Sequence, residues 1–148
     1  MNTANRLLQL SPNNDLHPHG QHHPTSLYVE RYWLPIIGPS SLTILRGIGD
    51  LCNRYPNTLG NYIEMQTQQL GLHFGIRSAR QFVDKLNRLS FYRLANEVAP
   101  DTWFIANRIP NLTPRQIANL PTTLATQHQQ NETTDTHTTN ELNHLSAH

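Results

Sequence analysis

Residues Gly75–Ala95 read GIRSARQFVDKLNRLSFYRLA, and the two kinds of residue in them fall on opposite sides of one helix. At 100° per residue, Ala79, Phe82, Val83, Leu86 and Leu89 lie within an arc of about 120°. Arg77, Arg80, Gln81, Asp84, Lys85 and Arg88 occupy the other side. The spacing predicts a helix that starts near Arg77 or Ser78, runs to about Leu89, packs one face and projects cations from the other. Between Arg77 and Arg115 stand seven Arg or Lys (Arg77, Arg80, Lys85, Arg88, Arg93, Arg108 and Arg115) against three acids, Asp84, Glu97 and Asp101. The whole chain of 148 residues carries a formal net charge of only +1, with 14% charged residues. Positive charge is therefore concentrated in this stretch.

Upstream, Leu42, Ile44, Leu45, Ile48, Leu51 and Cys52 recur at helical spacing after Ser40 or Ser41, either of which can cap a helix, and Pro56 ends the pattern. In NTLGNYIEMQTQQLGL, Asn57 or Thr58 can cap a second helix with Leu59, Tyr62, Ile63, Gln66 and Leu70 on one side and Gly71 at its end. Downstream the period changes. FYRLANEVAPDTWFIANRIP is rich in aromatic and β-branched residues around a Pro100-Asp101 turn, which predicts a hairpin of Tyr92–Glu97 with Thr102–Arg108. Thr113 followed by Pro114 then marks a short helix. The expected order is three helices, a hairpin and a short helix: a mostly α, α+β domain over residues 27–121.

The two ends are poor in apolar residues. Met1–Ser26 is Asn-, His- and Pro-rich, and Thr122–His148 is rich in Thr, Gln, Asn and His, so both are expected to be disordered tails. The aromatic group Tyr28, Tyr32 and Trp33 is expected to pack on the core, with a dimer contact as the alternative. The histidines of HPHGQHH (His17, His19, His22 and His23) fall in the expected N-terminal tail and are read as incidental, not as a metal site. Cys52, the single cysteine, excludes an intramolecular disulfide and reads as a buried, inert thiol. No apolar run approaches membrane-spanning length and the start lacks a signal-peptide core, so a cytoplasmic protein is expected.

Three helices followed by a hairpin is the layout of a winged helix-turn-helix domain. Residues 57–108 resemble one: TLGNYIEMQTQQLGL resembles the supporting helix, RSARQFVDKLNRL the recognition helix and SFYRLANEVAPDTWFIANRI the wing. More loosely, YWLPIIGPSSLTILR and RIPNLTPRQIANLP are similar to small uncharacterised bacterial, actinobacterial, proteins with this layout. The resemblance implies double-stranded DNA as partner, with the helix at 77–89 in the major groove and the hairpin at 92–108 as wing. It implies a role in transcription regulation or as an accessory protein of a mobile element. Arg77, Arg80 and Gln81 would reach base edges, Arg suiting guanine and Gln adenine. Lys85, Arg88, Arg93 and Arg108 would contact phosphates. A domain of this size makes modest contact, so a homodimer is expected for sequence-specific binding.

Nothing in the sequence assembles a catalytic set. Glu30, Asp50 and Glu64 are scattered without a base or nucleophile beside them, and Gly47 and Gly49 lack the strand context of a phosphate loop. No enzymatic activity, cofactor, metal or small-molecule substrate is expected. The competing expectation is a protein-interaction module of winged-helix fold whose basic face only keeps it soluble.

Overall fold

Residues Leu7–Asn13, inside the expected N-terminal tail, form a strand (β1) at the centre of a sheet. The computed structural model describes residues 3–55 and 59–131. After β1 and an extended loop, a π-helical turn at Val29–Trp33 runs into helix α1, Leu34–Ile37. Helix α2 spans Pro39–Arg54, strand β2 Ile63–Gln66, helix α3 Thr67–His73 and helix α4 Ala79–Phe91. Strands β3, Ala95–Ala99, and β4, Thr102–Ala106, form a hairpin. The protein is therefore α+β, as expected, but in place of the expected lone hairpin its sheet is mixed and four-stranded, in the order β2-β1-β4-β3. The expected three helices before the hairpin are corrected to a π-helical turn and α1 to α4.

The expectation of a disordered tail at 1–26 is thus corrected for the described residues 3–26. Leu8 and Leu10 are buried while Leu7 is 55% exposed, the alternation of a strand with one packed face. Leu10 sits opposite Ile63 of β2 on one side and Trp103 of β4 on the other. Burying each of these leucines contributes about 2 kcal/mol. Pro12 is tolerated because the pairing with β2 spans only Leu7 to Leu10, so no β2 acceptor lies beside its missing N–H. Beyond β1, His22 and Ile109 exchange backbone hydrogen bonds of 3.1 and 2.8 Å, tying down the loop.

The second expected helix is corrected as well. Its candidate caps, Asn57 and Thr58, lie outside the described residues. Residues 63–66 are strand, with helix starting only at Thr67. Ile63 and Met65 fit a period of two as well as Ile63 and Gln66 fit a helical one. The open edge of β1 decides between them. Helix α2 takes up the expected apolar pattern but starts at Pro39 with Gly38 at its N-cap, so the expected cap at Ser40 or Ser41 is corrected. It covers the packed face of the sheet with Ile44, Leu45, Ile48 and Leu51 buried. The Cys52 thiol points to the Leu10 carbonyl, 3.8 Å away, and the Ser41 hydroxyl donates to the Lys85 carbonyl of α4 at 3.2 Å. Tyr32 and Trp33 are buried, and the Trp33 indole donates to the Pro110 carbonyl at 3.1 Å. They belong to the core, not to an exposed aromatic surface.

The hairpin is shorter than expected at both ends. Tyr92 and Arg93 belong to the C-terminal turn of α4, where the Leu94 N–H reaches back to the Leu89 carbonyl at 2.8 Å. Pairing ends at Ala106, and the register shifts between Glu97 and Ala99.

Two compact units divide the chain, Met1–Asn111 and Leu112–His148. In the second, Thr113 caps helix α5, Pro114–Ala118, as its sequence predicts. The Thr113 hydroxyl accepts from the Gln116 N–H at 3.2 Å, and the Gln116 side chain accepts from the Thr113 N–H at 2.9 Å. Residues 122–131, expected as the start of a disordered tail, are helical, and 132–148 lie outside the described residues. No helix among the described residues is long and apolar enough to cross a membrane.

Candidate nucleic-acid interface

Helices α3 and α4 meet through a glycine. A Cβ on Gly71 would stand 2.7 Å from the Ile76 carbonyl oxygen and 3.4 Å from Phe82 Cβ, so only glycine permits this approach. The connecting turn is closed by backbone bonds from Phe74, Gly75 and Ile76 to the last turn of α3, with Gly75 at φ +75°. Ser78 then caps α4, its hydroxyl accepting from the Gln81 N–H at 3.3 Å. Ala79, Phe82, Leu86 and Leu89 are buried, and Phe74 stacks on Phe82 with ring centres 6.0 Å apart. That packing leaves Arg80, Gln81, Asp84 and Asn87 pointing outward, with Arg77 just before the cap.

The seven residues expected to touch DNA divide into two groups. Arg77, Arg80 and Gln81 are exposed around the N-terminal turn of α4, and Lys85 is half-buried one turn further on. Among the described residues no carboxylate pairs with Arg77, Arg80 or Lys85; the ion pairs join Arg6 with Asp101, Arg46 with Glu30 and Arg54 with Asp50. These four side chains form one free, mostly cationic face.

Arg88, Arg93 and Arg108 are placed elsewhere. Arg88 turns back on the protein: its Nε and Nη2 donate to the carbonyls of Ile37 and Ile36, at 2.8 and 2.7 Å, and its guanidinium carbon lies 5.9 Å from the Tyr92 ring centre. It satisfies the open carbonyl end of α1, which the sequence pattern of α4 gave no means of foreseeing. Arg93 and Arg108 flank the base of the hairpin, not its tip, because β3 begins at Ala95 and β4 ends at Ala106. The Arg93 carbonyl bonds His17 at 2.6 Å, while Arg108 Nη1 donates to the Pro18 carbonyl at 3.0 Å. Arg93 also holds φ 61°, where a non-glycine residue costs about 1 kcal/mol. Helices commonly place glycine at this position.

One cation outside the basic stretch reaches the hairpin tip. Arg6 precedes β1, and its Nε lies 2.8 Å from both carboxylate oxygens of Asp101, itself in the left-handed region at φ 60°. The Arg6 carbonyl accepts from the Thr67 N–H and hydroxyl at 2.8 and 2.7 Å, at the first residue of α3. The start of the chain, the start of α3 and the hairpin tip thus converge on one residue. Local sequence carries no signal for this. Arg6 and Asp101 are 95 positions apart.

Three of the four histidines of the loop after β1, His17, His22 and His23, are turned to separate partners. His17 engages Arg93, His22 lies stacked on Tyr28 at 3.7 Å with its Nε2 on Asn111, and His23 bonds Thr25. Among the described residues no group of three or more His, Cys, Asp or Glu side chains is gathered to hold a metal ion. Burial pushes the Cys52 thiol up to about 11, so the sulfur stays protonated at neutral pH.

Compared with family models, with curated proteins and with solved structures, the chain finds no match.

Proposed function

We propose that the protein binds double-stranded DNA as a winged helix-turn-helix, with α4 in the major groove, in transcription regulation or as an accessory protein of a mobile element. The observation that carries this reading is the unpaired basic face of Arg77, Arg80 and Lys85 around the start of a helix crossed closely by α3. Support also comes from the order α2, β2, α3, α4, then the β3–β4 hairpin, in which α3 and α4 directly precede the hairpin. The N-terminal turn of such a helix is where side chains reach base edges: Arg77 and Arg80 offer bidentate donors to guanine, and Gln81 pairs with adenine. Lys85 supplies a phosphate contact. Arg88 is left out of the contact set because its donors serve α1. The role is binding, without catalysis or cofactor.

The test is fluorescence anisotropy of a random-sequence duplex, at 50 and 200 mM salt. On a random-sequence duplex Arg77, Arg80 and Lys85 would each meet a phosphate, and about three such contacts weaken binding roughly 40-fold over that range. The Arg77→Ala/Arg80→Ala double variant should bind clearly less well at the lower salt. Absence of binding by the wild-type chain at 50 mM salt would remove the reading.

A second reading, a protein-docking module of the same fold, is favoured by one observation: Phe91, at the end of α4, is 78% exposed. Binding to a partner protein would survive the arginine double variant and fail in Phe91→Ala.

A further inference from the structure

We infer that Arg6, outside the helix-turn-helix and its hairpin, supplies the wing's contact with the DNA backbone, and that Asp101 positions it there. This rests on the DNA-binding reading of α4. The hairpin tip has no cation of its own. Its exposed residues are Asn96, Glu97, Val98, Ala99 and Pro100, and the two arginines expected to serve it, Arg93 and Arg108, stand at its base.

Arg6 fills that gap from another part of the chain. Its Nε is held 2.8 Å from the Asp101 carboxylate, and its side chain remains 54% exposed. The bond to Asp101 uses Nε, so the two terminal nitrogens, with four of the five N–H donors, are not taken up by it. A half-exposed guanidinium anchored through Nε, with donors to spare, suits bidentate contact with a phosphate.

The placement suits the same DNA that α4 would engage. The backbone of Arg6 is pinned by Thr67 at the start of α3, and the turn at Thr3–Asn5 before it packs against α3 and α4. Two other anchors hold the pair in register: the Gln9 N–H donates to the Asp101 carbonyl at 2.8 Å, and Gln9 pairs with Thr102 at the start of β4. Insertion of β1 into the sheet is what brings an N-terminal arginine to the tip. Asp101 thus acts as a positioning residue, although alone it would repel a phosphate.

That sign reversal makes the idea testable. Arg6→Ala, Asp101→Asn and the double variant are titrated with the same random duplex, alongside Arg77→Ala/Arg80→Ala, and their melting is followed to confirm folding. If Asp101 positions Arg6, Asp101→Asn weakens binding about three- to tenfold despite removing a negative charge. Arg6→Ala should do the same, and the double variant should be no worse than the weaker single. Arg6→Ala should also lower the slope of log affinity against log salt by about one. Arg6→Gln gives the same reading with the side-chain length kept, should Arg6→Ala not fold. An Asp101→Asn chain that binds as tightly as the wild type, or tighter, overturns the inference. So does an unchanged salt slope in Arg6→Gln. If these variants bind like the wild type while Arg77→Ala/Arg80→Ala does not, only the role of Arg6 falls. If the wild type binds no duplex at all, the reading of α4 falls with it.

Discussion

Truncating Leu10 to alanine tests whether the N-terminal strand belongs to the fold, and the structure sets the size of the effect. Leu10 is fully buried, flanked in the sheet by Ile63 and Trp103 and lying under Cys52 of α2. Removing a leucine side chain from such a site costs the transfer free energy of the lost methylenes plus a cavity term, about 3–5 kcal/mol. For a domain of this size that is about a fifth or more of the expected total stability, and it lowers Tm by about 10–20 °C. Leu7, three residues earlier in the same strand, makes an internal control. Its side chain is 55% exposed, so Leu7→Ala should change stability by no more than about 0.5 kcal/mol. Urea unfolding followed by tryptophan fluorescence suits the question, since Trp33 and Trp103 are both buried and Trp103 faces Leu10 across β4. Equal midpoints for Leu10→Ala and Leu7→Ala would refute the placement of β1 and with it the packing described for the sheet.

Arg88→Ala should lose about 1–2 kcal/mol of stability, because the Ile36 and Ile37 carbonyls lose their donors, while DNA affinity falls less than in Arg77→Ala; urea melts and anisotropy on one preparation separate the two effects. Arg93→Gly relieves the left-handed backbone at φ 61° and should raise the melting midpoint or leave it unchanged; a marked fall would show that the Arg93 side chain stabilises the α4–β3 turn. Cys52, with its thiol raised from 9.0 to about 11, should resist thiol reagents at pH 8 until the protein unfolds; rapid labelling of the folded chain would contradict its burial. The same shift favours the folded state below pH 9, where both forms keep the proton, and that contribution is lost as pH rises through about 11. Thermal melts between pH 8 and 11 should therefore show stability declining with pH.

Local chemistry made several elements legible in the sequence. Helix α4 and its cap at Ser78 follow from a strict apolar arc and a serine before it. The apolar spacing of α2 from Leu42 to Cys52, the hairpin turn at Pro100-Asp101 and the cap of α5 at Thr113 are of the same kind. Each signal is contained within a few residues and needs no partner elsewhere. The concentration of cations on α4, and hence the candidate interface around Arg77, Arg80, Gln81 and Lys85, is legible for the same reason.

What only the tertiary structure decided concerns pairings between distant segments. LLQLSPN carries two inward leucines and a proline, too little to hold a strand alone; it becomes β1 because β2 and β4 offer hydrogen-bond edges and α2 covers Leu10. Residues 63–66 fit two periods equally, and the edge of β1 selects the strand. Arg88 lies on the outward arc of its helix, yet the open end of α1 draws its guanidinium inward. Arg6 reaches Asp101 only because β1 is threaded through the sheet. Caps and amphipathic periods are short-range interactions that a sequence displays directly. A strand register and the direction of a long charged side chain depend on acceptors supplied by segments that are neighbours only after folding.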